Sequence, residues 1–305
     1  MKILFTFPGQ GTQRPGMLND LPARDDILNQ VRQTLGDEVD TLDTPEALKH
    51  TRAVQLALLI TGVAWARELE RRGVVADMTC GLSIGAFPAA VIAGALRFEE
   101  ALRLVALRVD LMEPADPHGY GLTAIMGLTL EQVEPLLEEG TYIANLNAER
   151  QIVIAGRDER MARVAQKALD KGANKAHRLA VSVPSHCALL DEPARQLQMA
   201  FNDIELMRPR CEYLSGSTAR VIWQPARIAD DLALNMSRTV RWHEAMVAGE
   251  ERDVGLAVEM PPGGVLTCLT RQAVTREASL SLEHSGVGVV VHRVTQLLER
   301  GSNSI

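Results

Sequence analysis

The chain has 305 residues, 32 Lys and Arg against 39 Asp and Glu, and a formal net charge of -7, an acidic balance that disfavours nucleic acid as a partner. Hydrophobic residues make up 46% and charged residues 23%, ample for one large core or two unequal ones, which excludes disorder as the main state. The longest apolar stretches, around residues 56–66 and 85–96, are interrupted by Thr61 and Pro88 and fall short of the roughly 20 residues of a membrane span, so none is expected. Residues 2–7 read as a short apolar strand ended by Pro8-Gly9. They lack the longer apolar region and cleavage site of a signal peptide, which predicts a cytoplasmic first strand. Residues 51–72 form a long Ala- and Leu-rich helix stopped by Gly73. Residues 74–82 return as a strand, a helix begins directly after Ser83, and another covers 98–112 with apolar residues at Ala101, Leu104, Val105 and Leu111. Strand followed by helix implies a parallel sheet covered on both faces.

From about Gly121 the pattern changes to strand 122–126, helix 130–138, strand 141–146, strand 151–156, helix 159–171 and strand 175–181. That β-α-β-β-α-β order is the ferredoxin-like unit. Residues 121–187 are therefore expected as a small domain inserted into a large α/β domain made of 1–120 and 188–305. The second part of the large domain carries a helix at 189–201, with Pro193 tolerable only in its first turn, and a buried strand at 255–260. The four cysteines, Cys80, Cys187, Cys211 and Cys268, are far apart and include no C-x-x-C pair. Neither a zinc site nor a disulfide framework is suggested, and free thiols are the expectation.

The strongest local signal for chemistry is Gly81-Leu82-Ser83-Ile84-Gly85, a G-x-S-x-G set between a predicted strand and a predicted helix. In a nucleophile elbow the serine sits on a strained strand-to-helix turn, flanking glycines avoid Cβ clashes, and the helix N-terminus favours developing negative charge. The plainer alternative is a small-residue turn that packs a helix onto a sheet. A serine needs a base, usually histidine, and seven histidines compete. His186 lies in Ser182-Val183-Pro184-Ser185-His186-Cys187, at the return from the small domain, where a loop can overhang the sheet. His50, His177, His284 and His292 lie in or beside polar segments, and His118 and His243 are ambiguous.

Phe7-Pro8-Gly9-Gln10-Gly11 follows the first strand, so Gln10 falls at the carboxyl edge of the sheet, where open α/β sheets bind ligands. Its glycines match no nucleotide loop, and an ordinary Pro-Gly turn remains an equal reading. Arg108 lies amid Leu104, Val105, Ala106, Leu107 and Val109. An arginine there needs either a carboxylate partner or a solvent-facing stripe, and taken alone an exposed helical arginine is the simpler reading.

Together, FPGQG at 7–11, GLSIG at 81–85, Arg108, Pro184-Ser185-His186 and the closing segment VEMPPGGVL at 258–266 resemble the malonyl-CoA:acyl carrier protein transacylase family over nearly the whole chain. The resemblance implies an α/β-hydrolase-like large domain with an inserted ferredoxin-like domain. It implies Ser83 as the acylated nucleophile, His186 as its base and Arg108 as the clamp on the acyl carboxylate. It further implies that Gln10 with the backbone N–H of Ile84 forms the oxyanion hole and that Asn235, seven residues before Trp242, offers the carbonyl that orients the histidine. Malonyl-CoA and a carrier protein with a phosphopantetheine or CoA-like arm are the implied partners, with no metal or redox cofactor.

Members serving fatty-acid synthesis usually read G-H-S-L-G-E at the elbow. This chain has Leu82 for the histidine, Ala86 for the glutamate, and Pro88 early in the next helix, where it removes a backbone donor and is expected to kink or widen the first turns. Pro261 stands where the family usually has Gly. With GLSIGAFPAA at 81–90 and RPGML at 14–18, the chain is most similar to the malonate decarboxylase epsilon subunits, which load malonyl onto that complex's own carrier subunit, so other subunits of such a complex are implied partners. The alternatives are a transacylase of fatty-acid or polyketide synthesis, a serine thioesterase drawing its triad acid from Asp110, Asp116, Asp158 or Asp170, or a non-catalytic carrier-docking subunit.

Overall fold

The computed structural model describes residues 1–113, 118–274 and 278–302. In the first part, strand β1 (Lys2–Phe7) leads through a long loop to helices α1 (Arg24–Leu35) and α2 (Thr51–Arg71), then to β2 (Met78–Gly81), α3 (Ala86–Ile92) and α4 (Phe98–Met112). The small unit follows as β3 (Tyr120–Met126), α5 (Leu130–Val133), β4 (Thr141–Ala148), β5 (Gln151–Arg157), α6 (Asp158–Asp170) and β6 (Lys175–Arg178). The chain then returns through α7 (Asp191–Ala200), β7 (Glu212–Leu214), β8 (Val221–Ile222), α8 (Pro225–Leu234), α9 (Trp242–Glu251), β9 (Val254–Glu259), α10 (Val265–Ala273), β10 (Ala278–Ser281), α11 (Leu282–Ser285) and α12 (Val287–Ser302).

The large sheet has the order β10-β9-β1-β2-β7-β8. All its pairings are parallel except that of β7 with β8. Alternation along β1 sends Ile3, Phe5 and Phe7 into the core under α2, α3 and α4, and Leu4 to the opposite face with Met78, Trp242 and Leu266. Two-sided burial accounts for the near-continuous apolar run of this strand. Helix α2 is buried around most of its circumference, from Ala53 to Ala66, as befits a helix wrapped by neighbours on several sides.

The second sheet is antiparallel, with the order β4-β5-β3-β6. With β3-α5-β4-β5-α6-β6 connectivity this is the expected ferredoxin-like unit. One face packs Ile125, Ile152 and Ile154 against Val133, Met161 and Val164 of its helices. The other face carries Leu122, Ala124 and Val153, against which Leu179, Val181 and Cys187 of the returning chain pack. Strand β4 is tied to the large part through Leu146 N–H to the Val240 carbonyl at 2.7 Å and Val240 N–H to the Ala144 carbonyl at 2.9 Å.

Several expected elements differ in extent. The strand expected over 74–82 is shortened to β2, because Val74 N–H closes α2 by bonding to the Leu69 carbonyl and ladder pairing with β1 starts at Met78. The helix expected over 130–138 breaks after Val133 into a 3₁₀ turn, Glu134–Leu136, at Pro135. The strand expected to reach 181 ends at Arg178, and the helix expected over 189–201 starts as a 3₁₀ turn, with Pro193 in the first turn of α7. Pro88 falls in the first turn of α3, whose N–H groups have no partner within the helix, and α3 continues past it to Ile92. Among the described residues no helix is long and apolar enough to cross a membrane.

Candidate active site

Four connections leave the carboxyl ends of parallel strands β1, β2, β7 and β9 on the same edge of the large sheet, the edge at which such sheets bind ligands. Ser83 is at the end of β2, in a 3₁₀ turn, Ser83–Gly85, that runs into α3. It has a φ of 56°, in the left-handed region. The flanking glycines let the backbone close up: a Cβ on Gly81 would lie 1.9 Å from the Gly85 carbonyl group, and one on Gly85 would lie 2.1 Å from the Phe7 oxygen. The serine is thus raised on a turn that only glycines can pack beneath, as an elbow requires.

His186 is 3% exposed and also has a positive φ, 64°. Its Nδ1 faces two backbone carbonyls, Asn235 at 3.0 Å and Arg238 at 3.2 Å, and its Nε2 lies 2.8 Å from Ser83 Oγ. Carbonyl oxygens only accept, so Nδ1 carries the hydrogen and the neutral ring presents a bare Nε2 to the serine hydroxyl. Burial, with the Arg108 cation adding to it, pushes the imidazole down to about 4, which keeps it neutral and able to take a proton near pH 7.

Arg108, on α4, is fully buried rather than exposed on the helix surface. Its Nη1 donates to Gln55 Oε1, and its Nη2 lies 3.4 Å from both Ser83 Oγ and Asn235 Oδ1. Nε has no hydrogen-bond partner among the described residues. Burial lowers the guanidinium to about 10, so it remains a cation at neutral pH, with only uncharged hydrogen-bond partners. A buried cation of this kind is costly until an anion joins it. Gln55, buried on α2, passes the contact on by donating from Nε2 to Gln10 Oε1 at 3.0 Å.

A cavity of about 270 Å³ opens over Ser83. Gln10, Leu82 and His186 form its floor, Asn145 and Val153 of the small sheet one wall, and Leu266 of α10 another. This is just below the roughly 300–1,000 Å³ of pockets that engulf drug-sized ligands, so it suits the acyl end of a long substrate. Ile84 is the second residue of the turn at the start of α3, where N–H groups lack helical partners, beside the loop that carries Gln10. Glu259, at the end of β9 and fully buried, accepts from the N–H groups of Leu266 at 3.0 Å and Thr267 at 2.7 Å, fixing the wall that α10 provides. A larger surface groove of about 580 Å³ between α7 and α8 contains none of these residues.

The structure therefore brings together Ser83, His186, Arg108, Asn235 and Gln10, which sequence reasoning had singled out. Among the described residues no other histidine is hydrogen-bonded to Ser83 or lines its cavity. Cys187 is buried, its thiol pushed up to about 11, and it donates to the Pro184 carbonyl, so it is no rival nucleophile. Of the triad acids considered for a thioesterase, Asp110 pairs with Arg52, Asp158 with Arg178, and Asp170 accepts from Gln166. Asp116 lies outside the described residues. Gln55 and the Arg238 carbonyl were missed. A lone glutamine within the apolar run 53–60 was the only signal for the former, and a backbone oxygen leaves no trace in side-chain identity. Among the described residues no group of three or more His, Cys, Asp and Glu is placed to hold a metal ion.

The acyl transferase domain family matches residues 4–291. The chain is 34% identical over 288 residues to a malonyl CoA-acyl carrier protein transacylase of Haemophilus influenzae, covering 90% of this chain and 92% of the relative. Among solved structures, the malonyl CoA-acyl carrier protein transacylase of Coxiella burnetii superposes with a TM-score of 0.90 at 31% identity, covering 97% and 98% of the two chains. A malonyl-transacylase solved in complex with its type II polyketide acyl-carrier protein gives 0.87 at 32% identity, covering 92% and 96%. Elbow, buried histidine and cavity thus sit on a fold shared over most of the chain with these enzymes, and the chain belongs to the malonyl-CoA:acyl carrier protein transacylase family of acyltransferases.

Proposed function

We propose that this acyltransferase moves a malonyl group from malonyl-CoA, through an ester on Ser83, to the thiol of an acyl carrier protein, and that it does so as the epsilon subunit of a malonate decarboxylase. The observation that carries the substrate choice is Arg108, a fully buried cation 3.4 Å from the serine oxygen with neutral partners and a spare N–H. A malonyl carboxylate supplies the missing anion. The complex of the related transacylase with its carrier supports a carrier as acceptor, and Leu82, Ala86 and Pro88 support the decarboxylase assignment. We divide the chain into 1–120 plus 188–305 and an inserted 121–187, and assign it to the cytoplasm.

In the first half-reaction Ser83 Oγ attacks the thioester carbonyl while its proton passes to His186 Nε2. The oxyanion is held by backbone N–H groups of Gln10 and Ile84, preorganised at the loop and the turn. Collapse breaks the carbon–sulfur bond, and the proton on Nε2 goes to the CoA thiolate. The carrier thiol then loses its proton to Nε2, attacks the ester and expels Ser83 Oγ, which takes the proton back. Acyl passes between two thiols of similar leaving ability, and the mechanism calls on no metal or redox group. The dependence on two carbonyls rather than a carboxylate at Nδ1 favours transfer over a hydrolase triad.

Intact-protein mass spectrometry after mixing with malonyl-CoA tests this reading. The expected adduct is one malonyl group mapping to Ser83, absent in Ser83→Ala. A label on another residue, or release of free malonate as the main product, overturns it. Acceptance by a fatty-acid or polyketide carrier in preference to a decarboxylase carrier subunit would move the chain to the transacylases of those pathways.

A further inference from the structure

Among the described residues the buried Asp, Glu, Lys and Arg side chains are Arg108, Glu259 and Asp231. The first reaches Ser83 Oγ from beneath and the second caps α10, whereas Asp231, 2% exposed on α8, has no part in the chemistry above. Both its oxygens are occupied by hydroxyl donors: Tyr213 Oη of β7 donates to Oδ2 at 2.8 Å, and Ser215 Oγ donates to Oδ1 at 2.5 Å. Ser215 Oγ in turn accepts from the N–H groups of Ser217 and Thr218, each at 3.1 Å. Its one hydrogen and both lone pairs are committed, so the carboxylate and the turn after β7 form one unit.

This unit touches both halves of the site. On one side β7 is the ladder neighbour of β2, which ends in the elbow. Gly216 lies so close to the elbow that a Cβ there would stand 2.8 Å from the Gly81 oxygen. On the other side, four residues beyond Asp231 and so one helical turn away, α8 gives way to the turn Asn235–Ser237. That turn and Arg238 just after it supply every backbone contact described for His186: Nδ1 to the carbonyls of Asn235 and Arg238, and the main-chain N–H to the Met236 carbonyl at 2.6 Å. Asn235 Oδ1 also faces Arg108.

We propose that Asp231 is a positioning residue for the transfer, clamping α8 to the turn beside the elbow and so setting the reach of His186 Nε2 to Ser83 Oγ. The inference rests on the reading of Ser83 and His186 as nucleophile and base. A carboxylate suits the place because it offers two acceptors to two hydroxyl donors, one of which, Ser215, has its lone pairs already committed to backbone N–H groups. Any slack between α8 and β7 is passed on to the imidazole, because the carbonyls that hold the ring begin one turn later.

Two variants separate positioning from folding. Asp231→Asn keeps an acceptor for Ser215 and turns its amide toward Tyr213, whose hydroxyl can accept. Tyr213→Phe leaves the carboxylate and Ser215 in place and removes one tie. The readouts are the melting temperature, kcat and KM for malonyl transfer, and the rate at which a small fluorophosphonate labels Ser83, which needs an activated serine but no malonyl contact. A misplacement of about 1 Å can cost roughly 10²-fold. We expect kcat and labelling both to fall by about 10-fold or more in folded variants, with KM within about two-fold, since binding contacts in the cavity are untouched. Wild-type labelling rates in both variants, well below their melting temperatures, would show that Asp231 only stabilises the fold and would sink the proposal. Labelling of His186→Ala as fast as wild type would overturn the reading of the base itself, and this inference with it.

Discussion

Ser83 and His186 both sit at positive φ, 56° and 64°, a conformation that costs a non-glycine residue about 1–3 kcal/mol, yet different forces hold them there. Ser83 is held by contact: Gly81 packs on Gly85, and Gly85 on the end of β1, within five residues of sequence and one strand neighbour. His186 is held by direction: three carbonyls from residues 235–238, about 50 positions away, fix its ring and main chain. Close packing rises steeply and tolerates nothing, whereas hydrogen bonds bend before they break. On the proposed mechanism the nucleophile side should therefore fail abruptly and the base side by degrees.

The largest effect expected is from Gly85→Ala. Its methyl would stand 2.1 Å from the Phe7 oxygen and 2.8 Å from the Phe7 carbonyl carbon, both backbone atoms of a central strand, so either β1 or the elbow has to move. Acylation by malonyl-CoA should fall below detection, with a lowered melting temperature. A variant with wild-type acylation would mean that the elbow is not sterically set.

His186→Ala comes next, and should slow both half-reactions by roughly 10²–10⁴-fold, the scale of a positioned acid–base group, with little loss of melting temperature. In the intact enzyme the pH profile carries the same information. A base held down to about 4 by burial is neutral and competent across the neutral range, and is lost by protonation only as pH falls through about 4. A stopped-flow acylation profile with its limb near the ordinary histidine value of about 6.5 would show that the ring is more hydrated than the geometry implies.

Arg108→Ala is the smallest of the three, and tests the residue that touches both halves through Ser83 Oγ and Asn235 Oδ1. A charged hydrogen bond is worth about 1.5–3 kcal/mol, roughly 10- to 150-fold. Malonyl transfer should drop on that scale while acetyl transfer is spared or raised, because acetyl-CoA leaves the guanidinium buried without its anion. The measurement is kcat/KM for both thioesters. Equal proportional losses would mean that Arg108 serves the fold alone.

The same contrast explains what could be read from the sequence. The elbow is legible because everything that makes it, Gly81, Ser83 and Gly85, is local. Periodicity likewise located β1, α2 and α4, whose faces are buried along their whole length. Strands β7 and β8, of 3 and 2 residues, are too short for any period to register, and they exist because β2 offers an edge. The burial of Arg108 contradicted the simplest local reading, since a helix position reveals its exposure only through what packs on it. Gln55 was overlooked for the reverse reason: one polar residue in an apolar helix looks like noise until Arg108 and Gln10 are seen on either side of it. The carbonyls that hold His186 belong to the backbone, and only the resemblance pointed to Asn235.

Those carbonyls also bear on how long the acylated enzyme lasts. They carry no net charge, so an imidazolium formed on His186 gains no counter-ion there and feels the Arg108 cation nearby. Such a ring is a grudging proton acceptor, and a grudging acceptor sorts nucleophiles by acidity. A thiol, with a pKa near 8.5, gives up its proton about seven units more readily than water, near 15.7. Ser83, itself a weak acid, escapes the handicap by being fixed 2.8 Å from Nε2, an advantage that a passing water molecule lacks. On the proposed mechanism the malonyl ester is thus kinetically shielded from the solvent that surrounds it, and its lifetime is set by the arrival of sulfur.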